Sequence, residues 1–366
     1  MNKKERLQAV RERRVPDFMP VWPRVKSQMV YGHGLMLPDV IGTDWYDSDK
    51  VTEAVLASIK NIGYDVAIPT YVDGGFGVTP LGGTFDIPTK FGGGICAGGV
   101  KPVQTKADWS KVQKRLAHFD FKKTDPRMKG ALEVIKNVSR EVGDEMPLVA
   151  IYVVGASAAM TLFRPNQALM LDMAEDPEWV DEMCRVATDF TIDWIRAQYE
   201  AGANSATFLA SVVGAVMISP EMNKRFTLEN IARVVETVKK EFNQATWLHI
   251  HGDMKTARGY KYLIELATEA GVQGFHFDEN HPPEWIMENV VYRLGKPACI
   301  ITHGAHIQNG SAEKIRQGVK DQISRIGEGL GVMMAPSCQI LGATSNEHFK
   351  AWVDATHDYG KYPLGE

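Results

Sequence analysis

No run of apolar residues in this chain approaches the roughly 18 needed to span a bilayer. Charge of one sign is not in excess either: 41 Lys and Arg face 45 Asp and Glu, a formal net charge of −4. Basic residues are scattered, so no electrostatic footprint for nucleic acid exists. Only the opening KKERLQAVRERR is locally basic. No apolar segment follows it, which favours a helix with one solvated face over a targeting signal. Cysteine is scarce. The four, at 96, 184, 299 and 338, show no CxxC pairing, and a chain of 366 residues does not need disulfide staples. A soluble, cytoplasmic protein with reduced thiols is expected. Internal repeats and low-complexity linkers are absent, as are a GxSxG elbow, a Walker A loop and an HExxH helix. GGFGVTPLGG lacks the GxGxxG spacing and the following helix that a phosphate loop requires.

What the chain does contain is an ordinary globular composition, 44% hydrophobic and 23% charged, arranged in a repeated rhythm. Eight short apolar runs stand out: PVWPRV from Pro20, YDVAIPTYV from Tyr64, PLVAIYVVG from Pro147, NSATFLASVV from Asn204, ATWLHIHG from Ala245, VQGFHFDE from Val272, ACIITHG from Ala298 and GVMMAPS from Gly331. Most are separated by segments with apolar residues at helical spacing, such as PEMNKRFTLENIARVVETVKKEF. Strand then helix, eight times over, predicts a (β/α)8 TIM barrel of the α/β class, one domain over 1–366 with an N-terminal helical extension over 1–19. The Gly-rich stretch 76–102, after the second run, breaks the rhythm. It is expected to be a long inserted loop or flap over the barrel mouth, or else a surface excursion.

Side chains at i and i+2 of a strand share a face, so WLHIHGD projects His249 and His251 together near the C-terminal end of the fifth strand. Two adjacent imidazoles make a ready pair of metal ligands, although a core imidazole and a hydrogen-bonded one would read the same way. The eighth run ends in Cys338, just before polar residues that begin a helix, which puts a thiol at the same mouth. Cys184 and Cys299 lie inside helical and strand patterns and read as small core residues. The sixth run ends FHFDEN. There Asp278 or Glu279 either fills a fourth metal position, with Glu279 preferred, or orients a ligand from behind. His303, at the end of the seventh run, is placed to touch substrate or serve as an acid. Tyr71, Phe76, Phe208 and Phe275 are candidates for an aromatic substrate pocket, and equally for core packing. Two imidazoles and a thiolate suit zinc rather than calcium or magnesium, which prefer oxygen ligands.

The opening ERRVPDFMPVWP, the segments VVGASAAMTLFRP and DPEWVDEMCRVATDFTIDWIRAQYEAGANSATF, then SPEMNKRF, LHIHGD and GEGLGVMMAPSCQILGATSNEHFKAWVDA together resemble the uroporphyrinogen decarboxylase superfamily, nearly end to end, and within it the branch of corrinoid-dependent methyltransferases. The resemblance implies a zinc held by an HxC pair after the fifth strand and a cysteine after the eighth, here His249, His251 and Cys338. A carboxylate after the sixth strand, here Glu279, can complete it. It also implies a separate corrinoid-binding protein as partner and a small-molecule methyl donor; a homodimer is possible. This chain departs from the pattern by carrying His251 where the branch has a cysteine. One thiolate instead of two leaves a unit of metal charge uncompensated and makes the ion a stronger Lewis acid. That tilts the expectation toward O-demethylation, with methyl passing from an O-methyl compound such as a methoxylated aromatic to the corrinoid cobalt. The alternatives are a methylcobamide:thiol methyltransferase of the coenzyme M type, and a decarboxylase-like or non-catalytic tetrapyrrole-binding barrel. The last fits poorly. The arginine-rich RQAGRY-type opening is absent, and Arg24 and Lys26 are too few cations for a polycarboxylated porphyrinogen.

Overall fold

The computed structural model describes residues 1–366 except 73–74, 93–98, 215 and 365–366. Six of the eight apolar runs form strands of one sheet: β1 (Ala150–Val153), β2 (Thr207–Ser211), β3 (Thr246–Ile250), β4 (Gly274–His276), β5 (Ala298–Thr302) and β6 (Val332–Pro336). They pair in chain order, and every pair is parallel. Parallel neighbours require a crossover between them, and helices supply it after each strand.

The first two runs complete the circle without forming ladders. Val21 bridges Met334 of β6, with Trp22 donating to the Met334 carbonyl and Met334 donating to that of Pro20, both at 2.9 Å. The amides of Asp65 and Val66 reach the Val21 carbonyl at 3.0 and 3.3 Å, and Ala67 bridges Leu148 just ahead of β1. Pro20, Pro23 and Pro69 have no N–H to donate, so these runs pair only through the few residues between prolines. The eight expected strands are therefore six strands and two bridged segments, in the order a (β/α)8 barrel demands.

Helices begin where the sequence supplies an oxygen to their first amides. Asp47, Asp125, Ser219, Thr256, Ser311 and Ser345 each cap one this way. Gly63 and Gly202 end the helices Ser48–Ile62 and Pro177–Ala201 in the left-handed conformation. The expected N-terminal helix is Lys3–Arg11, closed by a capping box between Asn2 and Glu5. Its Arg6 reaches Asp65, which also accepts from the Val21 amide and pairs with His357 of the C-terminal helix. One buried carboxylate thus ties both ends of the chain to the first barrel segments.

Ring contacts reveal the interior. Trp22, on the first segment, meets Phe208 of β2, Trp247 of β3 and His276 of β4, none of them its neighbour in the circle. These side chains therefore meet across the barrel. Trp247 and Gly274 stand in register, and a Cβ on Gly274 would meet the indole at 2.4 Å. Glycine there makes room for the ring that floors the site.

Stretch 76–102 is packed rather than free-standing where it is described; 93–98 lie outside the described residues. Phe76, Val78, Leu81 and Phe85 are buried. Gly77 N–H donates to Asp125, whose buried partner Arg127 also holds Thr79. At the far end Gly92 abuts Ala343, so close that a Cβ would come within 2.5 Å of it. This part of the loop thus reaches the segment that follows Cys338.

Candidate metal centre at the barrel mouth

β3 delivers two imidazoles to one face. His249 is fully buried and in register with Ala210 and His276, while His251 lies one step past the strand's C-terminal end and is half-buried. Their Nε2 atoms stand 2.8 Å apart. Cys338 arrives two residues beyond the end of β6. Ligand atoms of His249, His251 and Cys338 all lie within 4.8 Å of one another, and among the described residues no other group of metal-ligating side chains converges this way. In a tetrahedral zinc site, nitrogen and sulfur ligands are separated by roughly 3.3–3.7 Å. Small rotamer adjustments bridge that difference, and two imidazoles with a thiol are a zinc-type donor set, so the residues fit such an ion.

The electrostatics of the site favour the ligating forms. Burial pushes the Cys338 thiol up, but its hydrogen bond with His251 and the charges of Arg24, His251 and Lys26 outweigh it and bring it down to about 7. Burial and the Arg24 charge hold His249 well below the usual imidazole range, so it stays neutral with a lone pair to give. Arg24 is itself buried, in the left-handed region at φ 48, with its guanidinium on the Cys338 carbonyl and over the Phe208 ring. Its role as a brace for Cys338 was not legible in the sequence, where Arg24 looked like one of two cations at the mouth.

The carboxylates after β4 divide their work. Asp278 accepts from the amides of Gly252 (2.7 Å) and Asn280 (3.1 Å) and pairs with His281. Despite burial, these hydrogen bonds draw it down to about 2. Gly252, at φ 100, turns the chain directly after His251, so Asp278 fixes the backbone that carries a candidate ligand. Glu279 does not join the three converging groups. It lies beyond the strand end, exposed, with its carboxylate 3.9 Å from His303 Nε2. His303 caps the helix Gly304–Asn309 by accepting the Ala305 amide on Nδ1, which leaves Nε2 toward Glu279.

Of the four aromatic candidates, all are buried. Phe208 lies inside the barrel beside His249 and Trp22. Tyr71 and Phe76 pack on each other, and Phe76 also on Tyr46 and Phe85. Phe275 takes the face of β4 opposite His276 and stacks on Phe277, itself against Trp285 of the helical layer. Strand alternation turns it away from the mouth, so of its two expected places, substrate pocket or core packing, it takes the core. The same alternation brings in a residue the sequence reading passed over. His276 puts its Nδ1 2.8 Å from Nδ1 of His249. The signal was there, in a histidine one residue ahead of the FDE triplet and level with the first histidine of HxH. Cys184 and Cys299 are buried, with thiols pushed up by burial, as core residues should be. Cys96 lies outside the described residues.

Fold and site together define an α/β barrel with a cluster of two histidines and a cysteine at its C-terminal mouth, the face on which barrels of this kind carry their chemistry. The chain belongs to the uroporphyrinogen decarboxylase family, whose pattern it matches over residues 2–359. Among its relatives, the methylcobamide:CoM methyltransferase MtbA of Methanosarcina acetivorans is 24% identical over 285 residues, 75% of this chain and 78% of that protein. The uroporphyrinogen decarboxylase of Ruthia magnifica is also 24% identical, over 192 residues and about half (52%) of each chain. A solved methyltransferase from Methanosarcina mazei has the same fold, with a TM-score of 0.76 at 20% identity over 98% of this chain and 99% of that one.

Proposed function

We propose that this protein is a zinc-dependent methyltransferase that moves a methyl group from an O-methyl compound, a methoxylated aromatic foremost, to the cobalt of a separate corrinoid protein. The observation that carries the reading is the convergence of His249, His251 and a Cys338 thiol lowered to about 7. The family and the methylcobamide:CoM relatives support its broader part, methyl transfer linked to a corrinoid. A bound zinc would supply Lewis acidity toward the substrate heteroatom. Cys338 contributes the one negative charge of the donor set, braced by Arg24. His249 and His251 contribute none, which suits an ether whose oxygen must leave with negative charge. His303, at the rim with Glu279 as its partner, is the proton donor to that oxygen. Glu279, 3.9 Å from His303 Nε2, would be the carboxylate available to complete a zinc site.

The second reading, transfer from a methylated corrinoid to a thiol of the coenzyme M type, is favoured by the names of the relatives. Two assays on the purified protein separate the readings: demethylation of methoxybenzoates with a reduced corrinoid protein, and methylation of free thiols from methylcobalamin. Activity confined to the thiol assay refutes the O-methyl reading. Absence of stoichiometric zinc after purification in zinc-containing buffer refutes both.

A further inference from the structure

Metal-ligating histidines ordinarily hand their second ring proton to a carboxylate, a backbone carbonyl or water, and so gain basicity. His249 does something else. Its Nδ1 faces Nδ1 of another histidine, His276, at 2.8 Å, with the rings 4.7 Å apart and nearly perpendicular. Both rings are fully buried; Trp22 and Phe208 meet His276 edge-on, and Phe208 stacks on His249. Among the described residues no carboxylate hydrogen-bonds to the pair. His276 Nε2 is buried and has no hydrogen-bond partner among the described residues.

Proton counting then fixes the roles. Two neutral imidazoles in Nδ1 to Nδ1 contact share a single hydrogen. If His249 gives the Nε2 lone pair to a metal, its own proton must sit on Nδ1, where it donates to His276. His276 must then accept on Nδ1 and carry its proton on Nε2.

We infer that His276 is a positioning residue, the neutral acceptor that locks His249 in its Nδ1–H form and aims Nε2 at the metal without adding negative charge. The inference rests on the zinc reading above and extends its charge argument outward. With one thiolate among the ligands and an uncharged imidazole behind the buried histidine, neither layer neutralises the ion fully. This selects for a substrate that needs a strong electrophile.

The test compares zinc affinity, by competition with a chromogenic chelator, in wild type, His276→Leu and His276→Asn. Asparagine places an acceptor oxygen where Nδ1 stood; leucine offers none. Loss of an orienting partner typically costs about 10- to 100-fold in metal affinity. That loss is expected for His276→Leu, with recovery to within a few-fold of wild type for His276→Asn. Histidine 15N shifts in the zinc-loaded wild type give an independent readout, with His249 protonated at Nδ1 and His276 at Nε2. If wild type binds no zinc, the metal reading falls and this inference with it. If wild type binds zinc and His276→Leu binds as tightly, or if His276 in the loaded protein is protonated at Nδ1, only the role of His276 is overturned. Should His276→Leu not fold, the wild-type spectrum and His276→Asn decide.

Discussion

The substitution His251→Cys converts the donor set of this chain into the charge-balancing one implied by its resemblance to corrinoid methyltransferases, with two thiolates against a doubly charged ion, and its consequence can be worked from zinc-site geometry. Ligand atoms around a tetrahedral zinc are roughly 3.3–3.8 Å apart, so a substrate oxygen sharing such an ion would stand about 4 Å or less from the added thiolate. At 4 Å, with an effective dielectric constant near 20, two unit charges interact by about 4 kcal/mol. An oxygen that leaves as an anion feels most of this as transition-state repulsion, and each ~1.4 kcal/mol is a factor of ten in rate. The expected loss in kcat/KM for demethylation of a methoxylated aromatic is therefore about two to three orders of magnitude, with zinc retained at full stoichiometry. Transfer to a thiol should fall far less or rise. Steady-state assays in both directions, on protein with measured zinc content, read this out. Equal or faster ether demethylation by the variant would refute the idea that uncompensated metal charge selects the substrate.

Three further outcomes follow from the same structure. In metal-free protein, iodoacetamide should label Cys338 with a rate that rises through pH 7, since only the thiolate reacts, while buried Cys184 and Cys299 stay unlabelled until unfolding; a midpoint at or above about 8.5, the ordinary thiol value, would remove the role given to Arg24 and His251. Asp65→Asn should cost about 1.5–3 kcal/mol in chemical unfolding, because it removes the buried one of the two carboxylates that hold Arg6, leaving Asp17, and weakens the tie to Val21 and His357; a loss under about 1 kcal/mol would show that the circle closes without it. Gly274→Ala drives a methyl into Trp247, so a cost of about 1–3 kcal/mol and weaker zinc binding are expected together, the latter by chelator competition; unchanged zinc affinity would separate the barrel floor from the metal centre.

Much of the site was legible in one dimension because strand geometry is periodic. The i, i+2 spacing of His249 and His251 and the position of Cys338 just past an apolar run sufficed to bring three candidate ligands to one mouth, and they converge there. The same rule, applied to VQGFHFDE, should have set His276 rather than Phe275 on the inner face, but without the register between runs the starting phase was unknown. Asp278 and Glu279 could not be told apart for a different reason. They lie in a turn, where no period governs direction, and hydrogen bonds to Gly252 and Asn280 settle where Asp278 points. The first two runs were correct as barrel elements and too generous as strands, since their prolines remove the donors a ladder needs.

By itself the sequence determined the alternation of strands and helices, the parallel order that follows from it, and which three side chains could share an ion, because each depends on local periodicity and chain polarity. Only the tertiary structure decided what stands behind those side chains: His276 against His249, the buried Arg24 on Cys338, Asp278 under the turn after His251. These partners come from segments dozens to hundreds of residues apart. What pairs them is the curvature of the closed sheet and the register of its strands, which no short window of sequence encodes.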